Sequence, residues 1–267
     1  MTPLPTTGAG SANAAGVPPF APGDLSGLTL YLDAHDLATL WQTNDTSQPV
    51  TTLGDAVGRW LDKSANAYVL SQATAGERAT WRNDQTGANG RGTFVTPSGF
   101  GAGSKWLGST IAYSSLYTAG AFTSYIVGRS VSPAATQCLI ADDAGLFFHR
   151  WAGATSLTAR AWNGTLGQSE VVQASIAGST PYIFQTRRDT TPNLLISANG
   201  GTETSTASAG NVSFGTAKLT IPTAQAGSKH DGWLGHVLIY SRSLTASERN
   251  QVGQWLASLY GLTWTDQ

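Results

Sequence analysis

The sequence predicts an all-β fold: an antiparallel jelly-roll β-sandwich finished by one C-terminal amphipathic helix. Three observations carry this. Short apolar or alternating runs recur with turn signals roughly every eight to twelve residues, the spacing of sandwiches and barrels. The chain holds 31 glycines, and only 12% of its 267 residues are charged. One segment at the end has helical rather than strand periodicity.

Residues 1–26 stand apart. They carry five of the eleven prolines, a single charge at Asp24 and no apolar periodicity. Such a segment builds no core of its own. We read it as an extended arm that docks or links, with Leu4, Val17 and Phe20 as the side chains for docking on another protein or on a second copy. The segment has neither a charged n-region nor an apolar h-region, so a secretory signal is not expected.

The folded domain is expected over 27–267. "GLTLYLDA" alternates, placing Leu28, Leu30 and Leu32 on one face. "AFTSYIVGRS", "TQCLIADD" and "GLFFHRW" read as strands, and "SLTARAWN" alternates again. "PYIFQTRR" and "PNLLISANGGTETSTAS" follow; Asn199-Gly200 in the second signals a type I′ turn, which needs positive φ at both central residues. "KLTI" and "GWLGHVLIY" close a series of about a dozen strands. Residues 72–120 read as long loops and short strands. In "LTASERNQVGQWLASLYGL", Thr245 and Glu248 form a capping box. Val252, Trp255, Leu256 and Leu259 share a helix face, and Gly261 is placed as a left-handed stop. That face must be buried, and we expect the helix to clasp one end of the sandwich.

These residues carry a resemblance. Leu30-Tyr31-Leu32-Asp33-Ala34 is followed by Trp60-Leu61-Asp62-Lys63-Ser64-Ala65-Asn66; a hairpin runs Leu195-Ile196-Ser197-Ala198-Asn199-Gly200; the chain ends Gly235-His236-Val237-Leu238-Ile239-Tyr240-Ser241-Arg242-Ser243-Leu244, then Glu248-Arg249 and Tyr260-Gly261-Leu262. The pattern resembles the laminin-G-like or pentraxin-like modules of the concanavalin A-like lectin/glucanase superfamily found in phage and bacterial surface proteins. It departs twice: His236 replaces a usual acidic residue, and Pro222 follows Ile221 where such modules often have glycine.

Composition narrows function. Net charge is −1, so no basic surplus exists to neutralise nucleic-acid phosphates. Cys138 is the only cysteine, which excludes an internal disulfide and a cysteine zinc site. No apolar run is long enough for a membrane helix. Glycosidases of the resembled superfamily place carboxylates as Glu-x-Asp-x-x-Glu on one strand; Glu77, Glu170, Glu203 and Glu248 make no such pattern, and no cofactor is required. Catalytic residues are therefore not expected. Histidines 35, 149, 230 and 236 have no metal spacing, and no G-x-S-x-G elbow exists.

Two binding sites are candidates. Asp142-Asp143, just after a strand, suits a loop for Ca2+; "LDAHD" (Asp33, Asp36), "DKSAN" (Asp62, Asn66) and Asp231 are weighed against ordinary turn chemistry. Aromatic rings can stack on the CH faces of sugars. Trp60, Trp233 and Trp255 fall on core positions of the resembled pattern, leaving Trp41, Trp81, Trp106, Trp151 and Trp162. Trp162-Asn163, with Trp151, is the expected glycan platform, against the alternative that such rings pack under loops. The function these points suggest is a non-enzymatic structural and adhesive component of a phage or phage-like virion, a capsid decoration or tail appendage, synthesised in the host cytoplasm. It would present a lectin-like face to a cell-surface glycan. The alternatives are a free carbohydrate-binding module of a bacterial surface protein and a diverged glycoside hydrolase.

Overall fold

The structure is a computed structural model. It describes residues 20–96, 105–117, 121–131, 137–142, 147–151, 155–162, 168–174, 176–189, 193–207, 218–222 and 230–267.

The strands run β1 (Leu28–Asp33), β2 (Leu40–Trp41), β3 (Ala56–Val57), β4 (Arg59–Leu61), β5 (Val69–Ser71) and β6 (Ala79–Arg82). Next come β7 (Thr93–Thr96), β8 (Leu107–Ala112), a single helical turn α1 (Tyr113–Leu116), β9 (Phe122–Ser130), β10 (Gln137–Asp142), β11 (Phe147–Trp151) and β12 (Ser156–Trp162). The chain continues through β13 (Gln168–Ala174), β14 (Tyr182–Arg188), β15 (Asn193–Ala198), β16 (Thr204–Ala207), β17 (Lys218–Ile221) and β18 (Gly232–Tyr240) to helix α2 (Ala246–Tyr260).

Among the described residues, two nine-stranded antiparallel sheets stack. The first is ordered β16-β15-β14-β9-β18-β7-β6-β3, with β1 beside the second half of β18. The second is ordered β13-β12-β11-β10-β17-β8-β5-β4-β2. Both inner faces meet in one core: Leu32, Phe94, Phe122, Ile126, Phe184, Val237 and Ile239 from the first sheet, Trp60, Leu70, Leu107, Leu139, Leu157 and Leu219 from the second. The sandwich with its C-terminal helix is the fold class expected from the sequence.

A second core lies on the opposite face of the first sheet. There Tyr125, Val127, Ile183, Trp233, Leu238 and Tyr240 pack beneath Val252, Leu256, Ala257 and Tyr260 of α2. Trp255 and Leu259 join it partly buried. Helix α2 therefore covers a sheet face rather than an end of the sandwich, a correction to the expected clasp. The reason is that β18 is buried at all nine residues. A strand apolar on both faces needs cover on both.

The helix ends as its sequence indicates. The Thr245 hydroxyl accepts from the Glu248 amide while the Glu248 carboxylate accepts from the Thr245 amide, and Gly261 closes the helix at φ 63°. Asn199 and Gly200 take φ 52° and 71°, and the Gly201 amide donates to Ala198 O, giving the expected turn between β15 and β16.

Two bulges alter which way side chains point. One between Leu28 and Leu30 sends Leu28 to the helix side while Leu30 and Leu32 stay in the central core, so the three do not share one face. Another between Leu234 and His236 puts Leu234 inward and turns His236 toward α2. The segment from Phe20 belongs to the folded unit. Phe20 packs edge-on against Trp255, Tyr240 Oη donates to Pro22 O, and Arg242 Nε donates to Ser26 O. Phe20, expected to dock on a partner, is thus engaged within its own chain; Leu4 and Val17 lie outside the described residues.

Candidate functional site

A cleft among the described residues lies on the outer face of the second sheet, across β5, β8 and β17. Its volume is about 410 Å³, and it is lined by Val69, Ser71, Trp106, Gly108, Ser109, Thr110, Lys218 and Thr220. This is the size range of small-ligand sites. Strand register explains the lining. Ser71 pairs with Gly108 and Gly108 with Thr220, so these three form one row across the floor. Leu70, Leu107 and Leu219, alternating with them, point into the core.

Trp106 stands at one end of this floor. Its amide donates to Glu77 O, and its carbonyl accepts from Gln72 Nε2, a side chain only 5% exposed. The stance of the indole follows from its distances to Gly108. A Cβ placed on Gly108 would lie 2.5 Å from Trp106 Cζ3 and 3.4 Å from each of Cε3 and Cη2. Over a ring face the three distances would be nearly equal; this pattern is an approach to the ring edge. The six-membered ring therefore stands on edge above Gly108, and the half-buried indole forms a wall of the cleft.

The hydroxyls differ in what they can offer. Ser109 Oγ donates to Leu219 O, and Thr220 Oγ1 donates to Ala141 O. The hydroxyls of Ser71 and Thr110 hold no hydrogen bond among the described residues. An apolar wall beside unspent hydroxyls can take a ligand that is apolar on one side and hydroxylated on the other.

Most of the sequence candidates lie elsewhere. Trp151 and Trp162 are strand residues whose side chains are outside the described set, as is all of Asn163. The register separates them. Trp151 pairs with Leu157, five residues from Trp162 on β12, which is about 17 Å along the strand. The two stand at opposite ends of β11–β12. Asp142 ends β10 opposite Leu219 with its side chain outside the described set, and Asp143 lies outside it entirely. Among the other tryptophans, Trp81 is buried with Nε1 donating to Ala34 O. Trp41 lies under the Arg59 guanidinium. Trp60 and Trp233 are core, as expected.

The acidic motifs resolve as structure. Asp62 accepts from the Tyr31, Ser64 and Tyr68 amides and from Ser64 Oγ, and so ties "DKSAN" to β1. Asp33, opposite His236, faces Lys63 Nζ at 3.3 Å and Arg91 at 3.6 Å. Asp36 accepts from Lys63 at 2.7 Å. These oxygens are filled by donors and cations. No group of three or more His, Cys, Asp or Glu side chains converges among the described residues. Glu203 is held in a fork by Arg187 and Glu248 by Arg242, and hydrogen bonds from Arg242 and Thr245 draw Glu248 down to about 2.

A buried polar chain crosses the second core. Tyr260 Oη lies 2.6 Å from His236 Nδ1, and His236 Nε2 lies 3.4 Å from Asp33 Oδ1, close to but short of hydrogen-bond geometry. His236 is wholly buried. Burial lowers its proton affinity, and the neighbouring Asp33 only partly offsets this.

Topology defines a two-sheet antiparallel β-sandwich with a helix seated on one outer face. The fold is shared with the binding domain of Paraclostridial Mosquitocidal Protein 1 (TM-score 0.62, 11% identity, 91% of this chain and 56% of that one). It is shared too with the Botulinum Neurotoxin Type G receptor binding domain (TM-score 0.60, 12% identity, 89% of this chain and 54% of that one). Trypanosoma rangeli sialidase in complex with sialic acid matches at TM-score 0.54 and 13% identity, over 88% of this chain and 34% of its own. The chain thus spans about half the length of the toxin domains, and at these identities the likeness is one of fold. No protein-family model and no curated protein sequence matches the chain.

Proposed function

We propose that this chain is a non-enzymatic binding module that presents the β5–β8–β17 cleft to a cell-surface glycan. The observation that carries the reading is the Trp106 wall standing over a floor with two unspent hydroxyls, Ser71 and Thr110. A pyranose has the matching chemistry: CH groups for the indole and hydroxyls for the floor. Two kinds of support lie outside the site. Fold neighbours include domains described as receptor-binding and one, from Botulinum Neurotoxin DC, described in complex with SialylT. Two of the four glutamates are occupied by arginines, which fits a role without hydrolysis.

The finer reading places the module on a phage or phage-like particle, as a capsid decoration or tail appendage of the concanavalin A-like type. It rests on the low charge, the Thr/Gly-rich composition, the pattern of the chain's end segments and the composition of residues 1–26. Attachment through that leader would let several weak sites act together.

A glycan array, run with and without chelator, tests the binding role. Retention on a defined set of glycans that is weakened, yet still measurable by titration, in W106A is expected; no hit in either condition overturns it. Particle association of the full chain and of a chain lacking residues 1–19 tests the placement. Association that needs the leader supports it, whereas glycan binding without any association turns the reading to a free carbohydrate-binding module.

A further inference from the structure

We infer that Gly108 is the positioning residue of the sugar site: its missing side chain lets Trp106 stand on edge, and this stance turns the indole into a wall facing the cleft. The inference rests on the sugar-binding reading above and adds to it the residue that sets the platform.

Gly108 is the second residue of β8, paired with Ser71 on one side and Thr220 on the other. Glycine weakens a strand interior and marks a place where another group approaches closely. Its φ is not in the left-handed region, so backbone conformation does not require it here. What requires it is the indole edge, 2.5 Å from the place a Cβ would take. That is closer than carbon atoms sit without bonding, so one partner must move. The β8 backbone is paired on both sides, whereas the indole is a half-buried side chain that can rotate. Any side chain at 108 should therefore displace Trp106 and leave the sheet intact. The ring would then close over the floor or swing off it, and either change removes the wall beside Ser71 and Thr110. Trp106 lies just before β8, two residues ahead of Gly108, and its ring edge reaches the place of a Gly108 Cβ, so this coupling is direct.

The test compares wild type, W106A, G108A and the W106A/G108A double variant for binding to the glycans retained on the array, with a melting temperature for each. The protein is labelled with 5-fluorotryptophan, and the Trp106 resonance is assigned by its loss in W106A. The expected result is that G108A weakens binding about tenfold or more, a difference easily read from titrations. It also shifts the Trp106 resonance, while the double variant binds no worse than W106A alone. Melting temperatures stay close to wild type. Should G108A fail to fold, G108A on the W106A background must fold, because the clashing ring is gone; failure there overturns the steric account. The positioning role is also overturned by G108A binding as wild type, by an unmoved Trp106 resonance, or by additive losses in the double variant. Failure of the sugar-binding reading itself looks different: the wild-type protein binds no glycan.

Discussion

The hydroxyl of Tyr260, on the last turn of helix α2, lies 2.6 Å from Nδ1 of His236 in the middle of strand β18. Both side chains are buried, and a side chain at Gly235 would collide with that same hydroxyl. Tyr260 Oη and His236 Nδ1 share a hydrogen bond, and the other ring nitrogen, Nε2, faces Asp33 Oδ1 at 3.4 Å. The Tyr260 contact pins the end of the helix to the join where β1 gives way to β7 along β18. Tyr260→Phe removes this hydrogen bond and leaves His236 Nδ1 buried without its partner. It should cost about 1–3 kcal/mol, measured by urea denaturation.

Acid should unfold the protein through these groups. Burial holds His236 below its ordinary value and His230 down to about 3. Neutral histidine is favoured in the fold, so the unfolded chain takes up protons first. Stability should fall as pH drops below about 6.5 and go on falling to the folded-state values. Asp33 acts in the same direction. Burial would raise its carboxyl, but His236, His35 and Lys63 hold it low, so its contribution vanishes as pH falls through the carboxylate range. At the other extreme, burial raises Tyr125, Tyr240 and Tyr260, so stability should decline again above about pH 10. Melting temperatures between pH 3 and 11 check both limbs, and a shallower acid limb in His236→Gln would measure this residue's share, with His230 and Asp33 supplying the rest.

Leu256 tests whether α2 is structural. Wholly buried in the second core, it should cost about 2–5 kcal/mol when changed to alanine. A loss below about 0.5 kcal/mol, typical of a surface site, would mean that the helix is not seated on the sheet.

The helix start has its own expected cost. Thr245→Ala removes the capping hydroxyl from the Glu248 amide and should destabilise by about 1 kcal/mol. Equilibrium unfolding of the two proteins side by side gives the difference.

Truncation separates leader from domain. Removing residues 1–26 takes away Phe20 from Trp255 and the carbonyl of Pro22 from Tyr240. The melting temperature should drop by several degrees relative to a chain starting at Phe20. Equal melting temperatures would show that residues 20–26 add nothing to the domain.

The sequence carried the architecture further than the site. Long alternating strands, the Asn199-Gly200 turn and both helix caps were legible because each has a local chemical cause. The shortest strands, β2 to β5, were not, since two or three residues hold no period. The seat of α2 was misjudged, although "GWLGHVLIY" held the signal: an uninterrupted apolar strand implies cover on both faces. Leu28 was placed on the wrong face because a bulge leaves no mark in an alternating run. The "DKSAN" acid proved to be turn chemistry, the alternative weighed against a cation site. For the cleft, Trp106 was only one of several unassigned tryptophans. Trp106-Leu107-Gly108 was the readable clue: an aromatic residue and a glycine two apart at the start of one strand. What single-sequence reading lacked was the row Ser71-Gly108-Thr220, which exists only once three distant strands pair.

The most direct test of the account is a crystal structure of the protein with an oligosaccharide retained on the array. A pyranose ring is expected against the Trp106 indole, with its hydroxyls reaching Ser71 and Thr110. A sugar bound at the Trp162 end of β12, or anywhere that leaves Trp106 uncovered, would contradict it.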